Sequence, residues 1–202
     1  MKIVKQQKPV ITLRTSKLPH IKTERLVLRD IQLEDISTHY INWLNNPEVT
    51  KYLEVRFTPQ TRETVAAYVS AKLADTVSSK HFGVYERHQG EQRLIGSVTL
   101  GSIDLHHASA AISFVIGHPE AQGKGYATEA IHAAVFYMFN ECNINKLWAG
   151  YYDGHHGSAN ALAKNGFVVE GRLKKKFINA DGQYVDHVLV GLLAEDYGAF
   201  GC

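Results

Sequence analysis

The sequence predicts a single α/β (α+β) domain, in which a mixed, mostly antiparallel sheet of six or seven strands is flanked by about four helices. Short apolar segments rich in β-branched and aromatic residues alternate with segments that have helical periodicity. Their order is strand, two helices, three strands, helix, strand, helix and two strands. Parallel neighbours are therefore expected only where a helix connects two strands of the sheet.

The length of 202 residues allows one domain with a sizeable core, which we place at 21–195 between an N-terminal arm at 1–20 and a C-terminal tail at 196–202. The net charge of +2 is too small to indicate a nucleic-acid partner. The apolar stretch of the arm, 10–13, is too short for a signal peptide or a membrane span. We therefore expect a cytoplasmic protein without membrane contacts.

The spacing of cysteines and histidines indicates neither a disulfide framework nor a metal site. Cys142 and Cys202 are far apart in the chain, which suits a reducing compartment. Two histidine pairs occur, at 106–107 and 155–156, but adjacent residues on an extended chain point to opposite sides. No further Cys or His completes a ligand set, so we expect no metal.

The N-terminal part of the domain predicts a strand, a helix and an irregular segment. Alternation of apolar and charged residues places the first strand near 24–31. A helix at 34–44 ends before Pro47, because proline disfavours helical geometry in the residue before it. Residues 48–57 mix aromatic and charged side chains, which fits either a ligand-facing loop or the half-buried edge of a helix cap.

The remaining elements follow from capping signals, periodicity and turn composition. Thr58 is the predicted N-cap of the next helix, with Pro59 at its first position. Three strands come next, at 80–86, 93–100 and 109–116, the first two joined by a polar turn at 88–91. The last elements are a strand, a short helix and a hairpin, at 146–152, 158–164, 167–178 and 183–193.

A glycine-rich turn joins the strand at 109–116 to a long helix at 129–140. It reads Gln122-Gly123-Lys124-Gly125-Tyr126-Ala127-Thr128. The first turn of a helix has free N–H groups and the positive end of the helix dipole, and glycines let a ligand approach that backbone. The turn therefore predicts a phosphate or pyrophosphate site. Its spacing fits neither a nucleotide P-loop nor the G-x-G-x-x-G dinucleotide motif.

The string Gln122-x-x-Gly125-x-Ala127 resembles the acyl-CoA signature of the GNAT superfamily of N-acetyltransferases. Three other segments resemble one branch of that superfamily, which holds the ribosomal-protein N-terminal (RimJ/RimL-type) and amino-sugar acetyltransferases. They are 23–29, 165–171 and 181–186. The resemblance extends from about Ile21 to Leu193, and it implies a GNAT-like architecture.

The resemblance implies an enzyme in which a primary amine of a small molecule or peptide attacks the thioester of acetyl-CoA directly. The acetyl-pantetheine arm is expected between two splayed strands, with a main-chain N–H from 113–115 stabilising the carbonyl oxygen. Acetyl-CoA is thus the expected co-substrate. Its predicted contacts are Phe114, Val115, Ile116, Gln122, Gly123, Lys124, Gly125, Tyr126, Ala127, Thr128, His155 and Ser158.

The catalytic residues are less well defined, because Leu162 occupies the position at which many relatives carry a catalytic tyrosine. Ser158 matches a serine of the branch and is interpreted either as the acid that protonates the thiolate or as a helix cap. His155 stands where the branch has asparagine; it contacts pantetheine, acts in catalysis or is a solvated loop residue. Glu54 is the candidate base, or a surface carboxylate.

Several features bear on the acceptor amine. The segments 43–49 and 52–56 resemble acetyltransferases of surface-polysaccharide synthesis. Alternation would place Arg172, Lys174 and Lys176 on one strand face, which suits a diphosphate or a solvated surface. We therefore expect a nucleotide-linked amino sugar as substrate. The alternatives are the N-terminal amine of a ribosomal protein, or a non-catalytic acyl-CoA-binding module. Exposed strand edges in such sheets often pair, which is compatible with a homodimer.

Overall fold

The structure, a computed structural model, describes residues 20–88 and 91–197 of the chain. Most of the predicted arm, residues 89–90 of the predicted turn and residues 198–202 of the predicted tail lie outside this part. Within the described ranges, eight strands form one sheet in the order β1-β2-β3-β4-β5-β6-β8-β7. The β5–β6 pair is parallel and the other pairs are antiparallel.

The strands are β1 (Ile21–Lys22), β2 (Leu26–Asp30), β3 (Lys80–His88), β4 (Glu91–Asp104), β5 (Ser109–Ile116), β6 (Lys146–Tyr152), β7 (Val168–Ile178) and β8 (Tyr184–Leu193). The helices are α1 (Thr38–Leu44), α2 (Pro47–Thr50), α3 (Arg62–Ala74), α4 (Tyr126–Phe136), α5 (His156–Ala163) and α6 (Ala194–Tyr197). The predicted class is confirmed. The described residues add one two-residue strand, and α2 and α6 are single turns that sequence periodicity cannot detect.

Helices α1 and α3 begin later than the sequence predicts. The first does not start at Glu34, because 33–35 form a separate 3₁₀ turn and Ser37 caps α1 by accepting a hydrogen bond from the N–H of Tyr40 at 3.2 Å. The cap of α3 is Thr61 and not Thr58, because the helix begins only at Arg62. Thr61 forms a capping box with Thr64, which satisfies N–H groups that Thr58 cannot reach.

The main hydrophobic core lies between the sheet and α4. Small residues of the helix, including Ala130 and Ala134, are fully buried and allow close packing against β2, β4 and β5. In β6, Leu147 and Ala149 face this core, so alternation turns Gly150 and Tyr152 to the opposite side of the sheet. A smaller cluster packs α1 and α3 against the end of β2.

Candidate active site

A cavity of about 640 Å³ occupies a gap between β5 and β6. The two parallel strands are paired only through Ser109–Lys146, Ala110–Leu147 and Ala111–Trp148. Beyond these pairs the strands separate, and side chains from both sides of the sheet border the opening. The predicted pair of splayed strands is thus present in the structure, and a chain-like ligand can pass between them.

The cavity brings together several residues that the sequence analysis selected from distant segments. Glu54, Phe114, Val115, His155 and Ser158 all border it. Ile116 and the glycine turn do not line it. The other bordering residues are Tyr40, Leu44, Tyr52, Leu53, Val55, Gln60, Val65, Tyr68, His81, Ser97, Thr99, Ile112, Ser113, Ala149, Gly150, Tyr151, Tyr152, Leu162, Phe177 and His187.

The glycine turn forms the N-terminus of α4, as predicted, although the helix starts at Tyr126. Gly123 and Gly125 have φ values of +74° and +80°, which other residues rarely adopt. Gly125 is the N-cap and contributes no side-chain hydrogen bond, so helix N–H groups stay unsatisfied by a cap. Gln122 Nε2 donates to the carbonyl of Ile116 at 3.1 Å, which ties the turn to the end of β5.

Hydrogen bonds from the segment before β2 hold this turn in place. Thr23 Oγ1 donates to Glu129 in the first turn of α4 at 2.5 Å, and the N–H of Arg25 donates to the same carboxylate at 3.0 Å. The Arg25 guanidinium also donates to the carbonyl of Lys124 at 3.0 Å and lies over the ring of Tyr126. The segment 23–29 therefore positions the predicted phosphate site.

Ser158 is not a helix cap, which corrects one of its two interpretations. Helix α5 begins at His156, with His155 at the N-cap position but without a side-chain cap bond. The carbonyl of His155 accepts the N–H of Ala159 at 3.1 Å, so the first turn closes before Ser158. Ser158 is buried, and its hydroxyl makes no hydrogen bond within the described residues. It therefore stays available to a ligand in the cavity.

His155 is not a solvated loop residue. Its ring stacks on Tyr52 with 4.2 Å between ring centroids and an angle of 15°. Burial lowers the pKa of His155 to about 4, and the nearby charges of Lys51 and His156 act in the same direction. The imidazole is thus neutral near pH 7 and can contact an uncharged ligand group.

Glu54 is solvent-exposed on one side but hydrogen-bonded on the other. The Tyr152 hydroxyl donates to its carboxylate, and Arg56 Nη1 donates to the Tyr152 oxygen at 3.2 Å. Burial raises the pKa of Tyr152, and the bond to Glu54 raises it further, so the phenol keeps its proton. Tyr152 in turn stacks on Phe177 at 4.3 Å. Residues 52–55 border the cavity, so this part of the segment 48–57 faces it, as one interpretation predicted.

Sequence reasoning missed the residues that β7 and β8 contribute, above all His187. His187 lies opposite Tyr152 across the β6–β8 pair and contacts the ring of Phe177. The signal was a lone histidine within the apolar strand Tyr184–Leu193. Nothing in one sequence distinguishes such a histidine from a packed structural one.

The basic run of β7 does not form the predicted cationic face. Arg172 is paired with Asp153 at 2.8 Å and lies 3.8 Å from Asp186. The β7–β8 register shifts between residues 173 and 177, and Lys175 has a φ of +51°, so the alternation on which the prediction depended is broken. Among the described residues, none of Arg172, Lys174 and Lys176 borders the cavity.

Comparison with known proteins identifies the family. The family profile described as "Acetyltransferase (GNAT) domain" matches residues 25–168, which include the Arg25 segment, the glycine turn and α5. The chain belongs to this GNAT acetyltransferase family. It is an enzyme of the acyltransferase class, and acetyl-CoA is its acetyl donor.

Relatives and solved structures agree with this assignment. The chain is 30% identical over 178 residues to "Uncharacterized N-acetyltransferase p20" of Bacillus licheniformis, a match that covers 87% of this chain and 96% of that protein. It is 32% identical to "[Ribosomal protein uS5]-alanine N-acetyltransferase" of Escherichia coli, over 59% of this chain and 60% of the relative. The spermidine N-acetyltransferase of Vibrio cholerae in complex with CoA and spermine superimposes with a TM-score of 0.75 at 27% identity, covering 87% and 99% of the two chains.

Within residues 20–88 and 91–197, no helix is long and apolar enough to cross a membrane. The same part of the chain contains no group of three or more His, Cys, Asp or Glu side chains arranged to hold a metal ion.

Proposed function

We propose that this GNAT acetyltransferase acetylates an acceptor with a single amine, and that the acceptor is the N-terminal α-amine of a peptide or protein. The observation that carries the proposal is the charge of the cavity. Among its bordering residues in the described chain, Glu54 is the one carboxylate, and aromatic rings make up much of the surrounding wall. One carboxylate matches one ammonium group.

A polyamine acceptor fits this cavity less well. Such a substrate carries several ammonium groups along one chain, and a buried ammonium is costly unless a carboxylate pairs with it. Part of the one carboxylate here already accepts the hydroxyl of Tyr152. The relatives named for ribosomal-protein alanine and for spermidine thus represent the two acceptor classes, and the charge of the cavity favours the first.

The nucleotide-linked amino sugar that the sequence favoured has no support from the site. Its diphosphate needed a cationic surface beside the cavity, and the strand expected to supply one is irregular and partly ion-paired. None of the relatives described above is named for a nucleotide-linked sugar substrate. We therefore replace it with the alternative that the sequence analysis had kept open.

A main-chain N–H and a serine hydroxyl at the cavity suit two steps of direct acetyl transfer. The ladder between β4 and β5 pairs Ser97 with Val115, and the N–H of Gly117 donates to Ile95 at 2.9 Å. Alternation of an antiparallel ladder then turns the N–H of Phe114 toward the gap, where it would donate to the thioester oxygen. Ser158 would protonate the leaving thiolate, since this buried residue borders the cavity and its hydroxyl makes no hydrogen bond within the described residues.

Two further residues have binding roles in this proposal. Glu54 holds the ammonium of the acceptor, and Tyr152 fixes the carboxylate in position. Neutral His155 contacts the pantetheine arm in place of the asparagine of related enzymes. The glycine turn at the start of α4 receives the pyrophosphate of acetyl-CoA, with Gln122 to Thr128 as its predicted contacts.

The test is CoA release from acetyl-CoA, followed with a thiol reagent, across a panel of amines at equal concentration. The panel holds a peptide with a free N-terminal alanine, the same peptide with a blocked N-terminus, spermidine and a nucleotide-linked amino sugar. We expect the free peptide to have the highest kcat/KM and the blocked peptide to be inactive. Preference for spermidine or the sugar would contradict the acceptor proposal. Acetyl-CoA binding without turnover on any amine would favour the non-catalytic module.

A further inference from the structure

His187 occupies a position in the cavity that depends on the absence of a side chain at Gly150. A Cβ atom at residue 150 would lie 1.9 Å from His187 Nε2, far inside van der Waals contact. Gly150 is two residues beyond the last β5–β6 pair, Ala111–Trp148, where the strands have begun to separate. The imidazole therefore lies against the backbone of β6 at the edge of the gap.

Aromatic neighbours hold the ring in this orientation. Phe177 contacts it with 4.4 Å between ring centroids, and Phe177 itself stacks on Tyr152. Nδ1 of His187 is buried and has no hydrogen-bond partner within the described part of the chain, whereas Nε2 is the nitrogen on the Gly150 side. The ring thus presents Nε2 where β6 borders the cavity, on the same side of the sheet as Tyr152.

The surroundings of the ring favour its neutral form. Burial is the largest effect and lowers the pKa of His187, and Lys176 on β7 lowers it further, whereas Glu54 raises it. Tyr152 on β6 keeps its proton, and the cationic Arg56 donates a hydrogen bond to the oxygen of that phenol. A neutral imidazole has a lone pair on one nitrogen, which can take up a proton.

We propose that His187 is the general base of the reaction, and that its Nε2 accepts a proton from the ammonium group that Glu54 holds. This inference rests on the proposed function for the presence of an amine at that place. The N–H bond of the ammonium breaks as the proton bonds to Nε2. The freed nitrogen lone pair forms a bond to the thioester carbon, and the C–S bond breaks. The sulfur takes the proton of Ser158, and the acetylated nitrogen, now positively charged, gives its second proton to the Ser158 oxygen and so restores the hydroxyl. The proton on His187 leaves to water after product release.

Three variants separate a base from a structural residue. His187→Gln keeps the polarity of the side chain, His187→Ala opens a space for a soluble base, and Gly150→Ala displaces the ring by the predicted steric conflict. Each is assayed as kcat and kcat/KM from pH 5.5 to 9.5 with the best amine of the panel. Acetyl-CoA affinity, measured by calorimetry, reports whether the cavity remains intact.

We expect kcat of His187→Gln to fall about 10²-fold at pH 7, the lower end of what general acid–base catalysis contributes, with acetyl-CoA affinity unchanged. The acidic limb of the pH profile should move to higher pH, where the free amine supplies its own lone pair. Added imidazole should restore part of the activity of His187→Ala. An unchanged pH profile, or a loss of rate that imidazole does not restore, would overturn the proposal.

The test of His187 does not depend on which amine the enzyme prefers. If the wild-type enzyme prefers spermidine, the acceptor proposal fails, and the same profiles recorded with spermidine still test His187. If the peptide is the best acceptor and His187→Gln keeps the wild-type profile, the acceptor proposal stands and His187 is a packing residue.

Discussion

Arg25 binds Glu129 through two nitrogens, with Nε at 2.7 Å and Nη2 at 2.6 Å from Oε2. The pair joins residues that are 104 positions apart in the chain. Arg25 precedes β2, whereas Glu129 lies in the first turn of α4, directly after the glycine turn. A carboxylate at the N-terminus of a helix is favoured by the helix dipole. The positive charge of Arg25 balances the negative charge of this carboxylate.

We expect loss of this ion pair to weaken both stability and acetyl-CoA binding. Arg25→Met should lower the free energy of unfolding by about 1–2 kcal/mol, because a hydrogen bond to a charged group contributes about 1.5–3 kcal/mol and solvent screens this partly exposed pair. The dissociation constant for CoA should rise, because the glycine turn loses its support from Arg25. Calorimetry and denaturant unfolding measure the two effects. Lys22→Met, which removes an exposed cation two residues past the start of the described chain, is the control and should change neither.

Gly117 and Trp43 give a second test, of packing at the end of β5. A Cβ at Gly117 would lie 2.2 Å from the Trp43 ring, so Gly117→Ala forces α1 away from the strand. We expect a loss of about 1–3 kcal/mol, the usual cost of overpacking. Gly101→Ala is a matched control in the same sheet, because nothing lies within 4 Å of its Cβ. Equal unfolding midpoints for the two variants would show that the Trp43 contact yields without cost.

Ser158 is expected to act on the chemical step. Ser158→Ala should lower kcat about 10²-fold, the lower end of a general-acid contribution, while the affinity for acetyl-CoA stays within a factor of about two. Steady-state kinetics and calorimetry measure the two quantities. Ser70→Ala removes an exposed hydroxyl from α3 and should leave both unchanged. A parallel loss of CoA affinity in Ser158→Ala would assign this serine to binding instead.

Glu54 and Tyr152 should behave as one unit toward the amine. Tyr152→Phe keeps the ring that stacks on Phe177 but removes the hydroxyl that Glu54 accepts. We expect Tyr152→Phe and Glu54→Gln each to raise KM for the amine, and the double variant to be little worse than Glu54→Gln alone. A double-mutant cycle measures this coupling. Additive effects would mean that the two side chains act separately.

Features that depend on local composition could be predicted from the sequence, whereas residues that the sheet brings together from distant strands could not. The glycine turn and the cavity-facing Glu54 segment were accessible because their composition departs from that of ordinary loops. The cap at Ser37 was missed because the acidic pair Glu34-Asp35 also suits the first turn of a helix, and the cap at Thr61 because Thr58 before Pro59 is an equally good start signal; backbone geometry decides between them.

Residues brought together by distant strands were beyond the reach of pattern analysis. His187 joins the site because β8 pairs with β6 and Gly150 leaves room for its ring. The expected basic face failed for a related reason. A bulge in β7 breaks the alternation that the sequence alone must assume.

The pH dependence of stability should reveal the neutral state of His155. Its folded pKa of about 4 lies below the value of about 6.5 in unfolded chains, so the unfolded state binds a proton more readily. The resulting stability is present above pH 6.5 and is lost as the pH falls toward 4. We expect the unfolding midpoint to fall over this window and to fall less in His155→Asn. Equal slopes in both proteins would mean that the folded state binds the His155 proton as readily as the unfolded state.

Direct transfer within one ternary complex is the central claim, and a rapid-quench experiment tests it most directly. Enzyme is mixed with acetyl-CoA, with and without the best amine, and CoA, acetylated product and protein mass are followed on the time scale of one turnover. We predict that no CoA is released without amine, and that CoA and acetylated amine appear together at one rate when amine is present. A burst of CoA without amine, accompanied by an acetylated protein, would contradict the account.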